Sequence, residues 1–137
     1  MSIPTGMIIP LITAVTPNLC VLDFAVFTAD DEIGFITSDN PCVWFDPEAY
    51  KRPPLLRVPA LVYESIEITL PISPQQCLYF NRHNINGYID VNQQMVDVIN
   101  KRTRFYCGEY FVVRKNYKDA ILKMGFILKY LYSTIDK

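Results

Sequence analysis

The side chains best suited to chemistry in this chain are concentrated in Phe35-Ile36-Thr37-Ser38-Asp39-Asn40-Pro41, where an apolar run stops in four polar residues before resuming at Cys42-Val43-Trp44-Phe45. Two hydroxyls, a carboxylate and a carboxamide in consecutive positions could bind a polar ligand oriented by Asp39, or an ion if Asp46 or Glu48 approached. The only histidine lies in a second polar cluster, Asn81-Arg82-His83-Asn84. If the two clusters converged, Ser38, Asp39 and Asn40 with Asn81, Arg82 or His83 would form a hydrolytic site. A Ser-His-Asp or Cys-His set can also be written from Ser73 or Cys77, but no nucleophile-elbow spacing supports it. The simpler reading of Thr37, Ser38, Asp39 and Asn40 is a turn. Each short side chain can accept a hydrogen bond from the backbone one or two residues on, and Pro41 drives Asn40 to an extended conformation.

Other chemistries lack a signal. The chain has no G-x-G-x-x-G, no P-loop and no paired cysteines, so no cofactor and no metal is expected. Cys20, Cys42, Cys77 and Cys107 are widely spaced among apolar neighbours and are expected as buried free thiols, with a disulfide left open by spacing alone. Charge is distributed unevenly. Residues 1–100 carry 4 basic and 11 acidic side chains (net −7), and residues 101–137 carry 9 and 3 (net +6). The basic part predicts either a face solvated or set against the acidic part, or an anion site at Lys101, Arg102, Arg104, Arg114 and Lys115. A pI near 5.7 gives no long-range pull on nucleic acid, which is possible as a partner but not favoured.

These residues must be held by a fold that 137 residues, half of them apolar, can build as one domain, 1–137. Val21–Thr28 and Ile33–Thr37 flank the polar turn Asp30-Asp31-Glu32 and predict a hairpin. Val43–Phe45 is the next strand, followed by an irregular proline-bearing loop. Residues 64–70 alternate, with Ile66, Ile68 and Leu70 on one face. Pro71-Ile72-Ser73-Pro74 reads as a turn into a strand at Cys77–Phe80. A helix over 91–106, capped by Asp90, carries an apolar face of Val91, Met95, Val98 and Ile99, continued by Arg102. A last helix at about 117–132, within 116–137, carries Ile121, Met124, Ile127, Leu128 and Leu131. The expected fold class is α+β, an antiparallel sheet of about five strands covered by two C-terminal helices.

Residues 1–20 form an apolar N-terminal segment that lacks the basic start of an export signal and contains Pro4 and Pro10. No stretch reaches the roughly 18–20 apolar residues of a membrane span, so a cytoplasmic protein without membrane association is expected. A mean hydropathy of +0.13 is high for so small a chain and predicts apolar surface facing a partner, most simply a second copy.

Three segments in order, Phe35–Pro41, then Leu70-Pro71-Ile72-Ser73-Pro74 with Leu78, then an Asn-containing helix from Val91 ending in Arg104-Phe105-Tyr106, resemble the domain-of-unknown-function family 4238. The resemblance covers about residues 21–115 and is to the C-terminal half of that family. It implies no accepted activity, cofactor or catalytic residue. It also implies that a helical N-terminal half, which this chain does not show, would be a partner domain covering apolar surface. Function is therefore expected to be a non-catalytic, self-associating binding or assembly module. The alternatives are a hydrolase at Ser38-Asp39-Asn40 and nucleic-acid binding through the basic C-terminal region.

Overall fold

The computed structural model describes residues 5–30 and 32–113. They form α1 (Thr5–Cys20), β1 (Asp23–Thr28), β2 (Thr37–Ser38), β3 (Val43–Phe45), β4 (Glu67–Ser73), β5 (Gln76–Asn81), β6 (Gly87–Asp90), α2 (Gln93–Tyr106) and β7 (Phe111–Val112). Five strands make one sheet in the order β3-β4-β5-β1-β6, and β2 pairs with β7 in a small second sheet. The mixed α/β character with a five-stranded sheet agrees with expectation. The placement of both helices after the sheet does not, because α1 precedes it. The expected helix at 117–132 lies outside the described residues.

Strand pairing departs from the sequence reading at β1. The expected hairpin with Ile33–Thr37 does not form. Instead β1 is central, antiparallel to β5 through pairs such as Ala25 with Tyr79, and parallel to β6 through pairs such as Phe27 with Ile89. The sheet is therefore mixed rather than wholly antiparallel. The parallel pairing arises from the connection after β5, which carries the chain past the start of β1. Asn84 N–H donates to Asp23 Oδ2 (2.9 Å), and Phe24 N–H donates to Asn86 Oδ1 (3.3 Å), fixing that crossing. Residues 71–74 are not all turn. β4 continues through Ser73, and Pro71 sits where the β4–β5 register shifts, a position at which its missing N–H is tolerated. Pro74-Gln75 alone makes the turn.

The pleat sorts side chains onto two faces. The inner face buries Ala25, Phe27, Cys77 and Tyr79 against Val96 and Ile99 of α2. Asn92, not Asp90, caps α2, its side chain accepting the Met95 N–H. The face α2 turns inward is Val96, Ile99, Asn100 and Thr103, while Met95 and Val98 are exposed; polar residues that bond locally replaced the apolar stripe expected there. The outer face buries Ile66 and Ile68 with Leu61, Trp44 and Phe80, joined by Val15 of α1 and Leu22.

Residues 46–65, which bring Leu61 onto that outer face, are tied by a buried carboxylate. Asp46 accepts hydrogen bonds from Arg52, Ser65 Oγ (2.6 Å) and the Glu48 N–H (2.9 Å), and the Arg52 guanidinium stacks on Tyr63. Burial alone would raise the pKa of Asp46. The hydrogen bonds from Arg52, Ser65 and Glu48, with the Arg52 charge, outweigh it and hold the carboxyl below its ordinary range.

Gly34 has φ +67, and a Cβ there would lie 1.9 Å from Pro74 O, the acceptor of the Phe35 N–H (2.7 Å). Gly34→Ala combines backbone strain with a backbone clash. It is expected to lower the unfolding free energy by about 1–3 kcal/mol or more, read as a fall in the urea midpoint at unchanged m.

Candidate functional site

Residues 34–40 leave the main sheet and are fastened to α2 and to residues 108–112 beyond its end. Asn100, only 1% exposed, acts as a surrogate strand neighbour: its Nδ2 donates to Gly34 O (2.9 Å) and its Oδ1 accepts the Ile36 N–H (3.0 Å). Without that carboxamide two backbone groups in a buried segment would lose their partners. The chain then pairs Thr37 with Val112 and Ser38 with Phe111. Asp39 closes the arrangement. Its Oδ1 accepts the Gly108 N–H (2.9 Å), its Oδ2 accepts the Glu109 N–H (2.7 Å), and its own N–H donates to Tyr110 O (3.3 Å). Asn40 Nδ2 donates to Tyr106 O (3.1 Å), satisfying a carbonyl of the last turn of α2, and the Asn40 N–H donates to Ser38 Oγ (3.1 Å).

The four polar residues therefore form a clasp over the C-terminal end of α2. Asp39 is exposed, yet the Glu109 and Gly108 N–H groups, in that order, hold its pKa below the ordinary value. Gly108 is required by proximity, since a Cβ there would stand 2.9 Å from Asp39 Oδ2. Two open clefts flank the clasp. One of about 310 Å³ includes Thr37, Phe35 and Val112 in its lining; one of about 290 Å³ includes Asn40, Trp44 and Tyr106.

The second polar cluster is at the other end of β5. Phe35 bonds to Pro74 in the turn that starts β5, whereas Asn81 ends that strand. Asn81 is fully buried and organises the crossing loop, donating to Ile85 O (3.0 Å) and accepting the His83 (2.8 Å) and Ile85 (3.3 Å) N–H groups. Arg82 donates from both Nε and a terminal nitrogen to Leu61 O (3.1 and 2.7 Å). The side chain of His83 is exposed. Six residues of strand, about 17 Å, separate the two clusters, so the structure does not bring Ser38, Asp39 and Asn40 together with Asn81, Arg82 and His83.

The basic residues are also spread. Lys101 is exposed. Arg102 pairs with Glu67 (2.6 Å) and lies 3.8 Å over the Phe45 ring. Arg104 donates from Nε to Asn100 O (3.3 Å) and faces the Phe111 ring. Arg114 and Lys115 lie outside the described residues. Beside the Arg102–Glu67 pair, burial and then the Glu67 charge push the Tyr79 hydroxyl up to about 12. The sequence reading missed this inner polar group, because Glu67, Tyr79 and Arg102 come from three elements with no local spacing in common. Among the described residues, no group of three His, Cys, Asp or Glu side chains could hold a metal ion. All four thiols are free, but only Cys77 is buried; Cys20 and Cys42 are exposed, contrary to expectation, because α1 and the residue before β3 are left uncovered. Burial pushes the Cys77 thiol up to about 12.

With this geometry in place, the comparison with known proteins is informative at the level of family. Residues 2–116 match the family described as "Protein of unknown function (DUF4238)". The chain belongs to DUF4238. The match takes in α1 as well as the segments on which the resemblance rested, and in this DUF4238 member those segments are the ones that meet: the Phe35–Pro41 run, the Pro74 turn and the Asn100 helix. No curated protein and no solved structure matches the chain.

The clasp and the thiols each give an expected outcome. Asp39 has a folded-state pKa below 3.8, so its contribution to stability is present above that value and is lost as pH falls through the folded pKa. Asp39→Asn is expected to unfold at lower urea concentration than the parent at pH 7, with the gap closing near pH 3; equal gaps at both pH values would contradict the clasp. In a thiol-titration with a disulfide reagent, Cys20 and Cys42 are expected to react in the native protein and Cys77 only after unfolding.

Proposed function

We propose that the chain acts as one domain, a non-catalytic binding and assembly module that associates with copies of itself. The observation that supports this reading most directly is α1. It contains no charged residue, and Ile12 and Leu19 on it are exposed (57% and 38%), while Val15 is its packing contact with the outer core cluster. A helix without a polar face needs cover. Pro10 and Pro17 each remove a backbone donor within it, so it gains little stability from its own hydrogen bonds. Thr16 Oγ1 to Ile12 O (2.7 Å) and Asn18 Nδ2 to Ala14 O (3.2 Å) supply two side-chain bonds along it.

The hydrolytic alternative is less well supported, because the carboxylate of Asp39 and the carboxamide of Asn40 are engaged with backbone and the second polar cluster is distant. Nucleic-acid binding is weakened by the pairing of Arg102 with Glu67. Among the described residues, no helix is long and apolar enough to cross a membrane. Two exposed free thiols favour a reducing, cytoplasmic setting.

Light scattering coupled to size exclusion, over about 1–100 μM, is expected to give a mass above the 15.8 kDa of one chain. Ile12→Glu is expected to weaken association by roughly tenfold or more while leaving the circular dichroism spectrum unchanged. A monodisperse 15.8 kDa species at 100 μM would remove the proposal.

A further inference from the structure

The chain carries a helix that lacks a surface and a sheet face that lacks a helix. On the outer face, register aligns Tyr88, Val26, Leu78 and Leu70 in one row across β6, β1, β5 and β4. The adjacent row runs Phe24, Phe80, Ile68 and Trp44. Leu61, Val15 and Leu22 cover the Phe80-Ile68-Trp44 end of that second row. The remainder is open: Tyr88 is 79% and Phe24 44% exposed, and Leu70 and Leu78 are half-buried. α1 does not close this gap within one molecule, since Ile12 and Leu19 remain exposed on it.

We infer that α1 of one copy lies across the Tyr88–Leu70 row of a second copy, and that the exchange is reciprocal. This rests on the self-association reading and specifies its seat. Neither surface carries a charged side chain in the contact: α1 has none, and the row is tyrosine, valine and two leucines. That chemistry fits another uncharged apolar surface better than a headgroup, a phosphate or a charged peptide. Dimensions agree. Sixteen residues of helix extend about 24 Å, and four adjacent strands span about 14 Å between their outer axes. Because Val15 already sits on the covered end of its own sheet, the turns before it are in position to reach a neighbour. The interface so formed is isologous, each copy giving a helix and receiving one, which closes at two subunits and leaves no further apolar edge to propagate.

The test is a cysteine pair in the full chain with Cys20 and Cys42 replaced by serine. Ile12→Cys combined with Tyr88→Cys, oxidised under mild conditions, is expected to yield a reducible band at twice the 15.8 kDa chain mass. Tyr88→Glu is expected to raise the dimer dissociation constant roughly tenfold or more, with the circular dichroism unchanged because the side chain stands on an exposed edge strand. If the unmodified chain is dimeric by light scattering but neither the cross-link nor the Tyr88→Glu effect appears, the seat is wrong and self-association stands. A monomer throughout removes both. A monomer that pellets with neutral phosphatidylcholine vesicles would assign the apolar surface to a bilayer and overturn the inference.

Discussion

The carboxamide of Asn100 governs how the described parts fit together. It is buried, its two polar atoms meet the Gly34 carbonyl and the Ile36 amide, and it comes from the middle of the helix that covers the inner sheet face. An aliphatic residue there would fill the space and leave both backbone groups without partners, at about 1–3 kcal/mol each. Because Gly34 to Ile36 also contact the β4–β5 turn through Phe35 and Pro74, one side chain couples α2 to the sheet edge and to the segment that becomes the clasp. The rest of that segment extends the same theme, with backbone donors after α2 received by Asp39 and a terminal carbonyl of α2 received by Asn40.

This changes the meaning of the most polar run in the chain. Four consecutive hydrogen-bonding residues could hold a ligand, but here the Asp39 and Asn40 side chains answer needs created by the helix terminus and the loop behind it. Helix ends leave several backbone groups unpaired, and a short polar segment from elsewhere is an economical solution. Asn81 does comparable work at the opposite end of the sheet, and Asp46 does so for the long connection beneath the outer face. Three separate polar centres, each built on one Asn or Asp, thus shape irregular backbone around a regular core.

Much of the local structure was legible in the sequence. Val43–Phe45, the alternation after Glu64, Cys77–Phe80 and the helix ending at Tyr106 all carry their periodicity openly. What periodicity lacks is the identity of the partner. β1 looked like half of a hairpin because the next apolar run was close, whereas its neighbours arise from residues 76–81 and 87–90. β6 was missed because four residues beginning with glycine, in a polar stretch, give little alternation to detect. α1 was obscured by prolines that ordinarily forbid a helix interior. For the candidate site, the residue types of Thr37–Asn40 suggested a turn or a pocket equally well. Only the donors of Gly108 and Glu109, 69 and 70 positions away, distinguish them.

The central position of β1 has a consequence for biosynthesis. Residues 23–28 emerge early, but both flanking strands are encoded some fifty and more residues later. At ordinary elongation rates of about 5–20 residues per second, the nascent chain spends several seconds with its middle strand unpaired and its uncharged leading helix already outside the ribosome. Such a chain is a natural client for holding chaperones, and its yield in the cell would depend on how quickly residues 76–90 emerge.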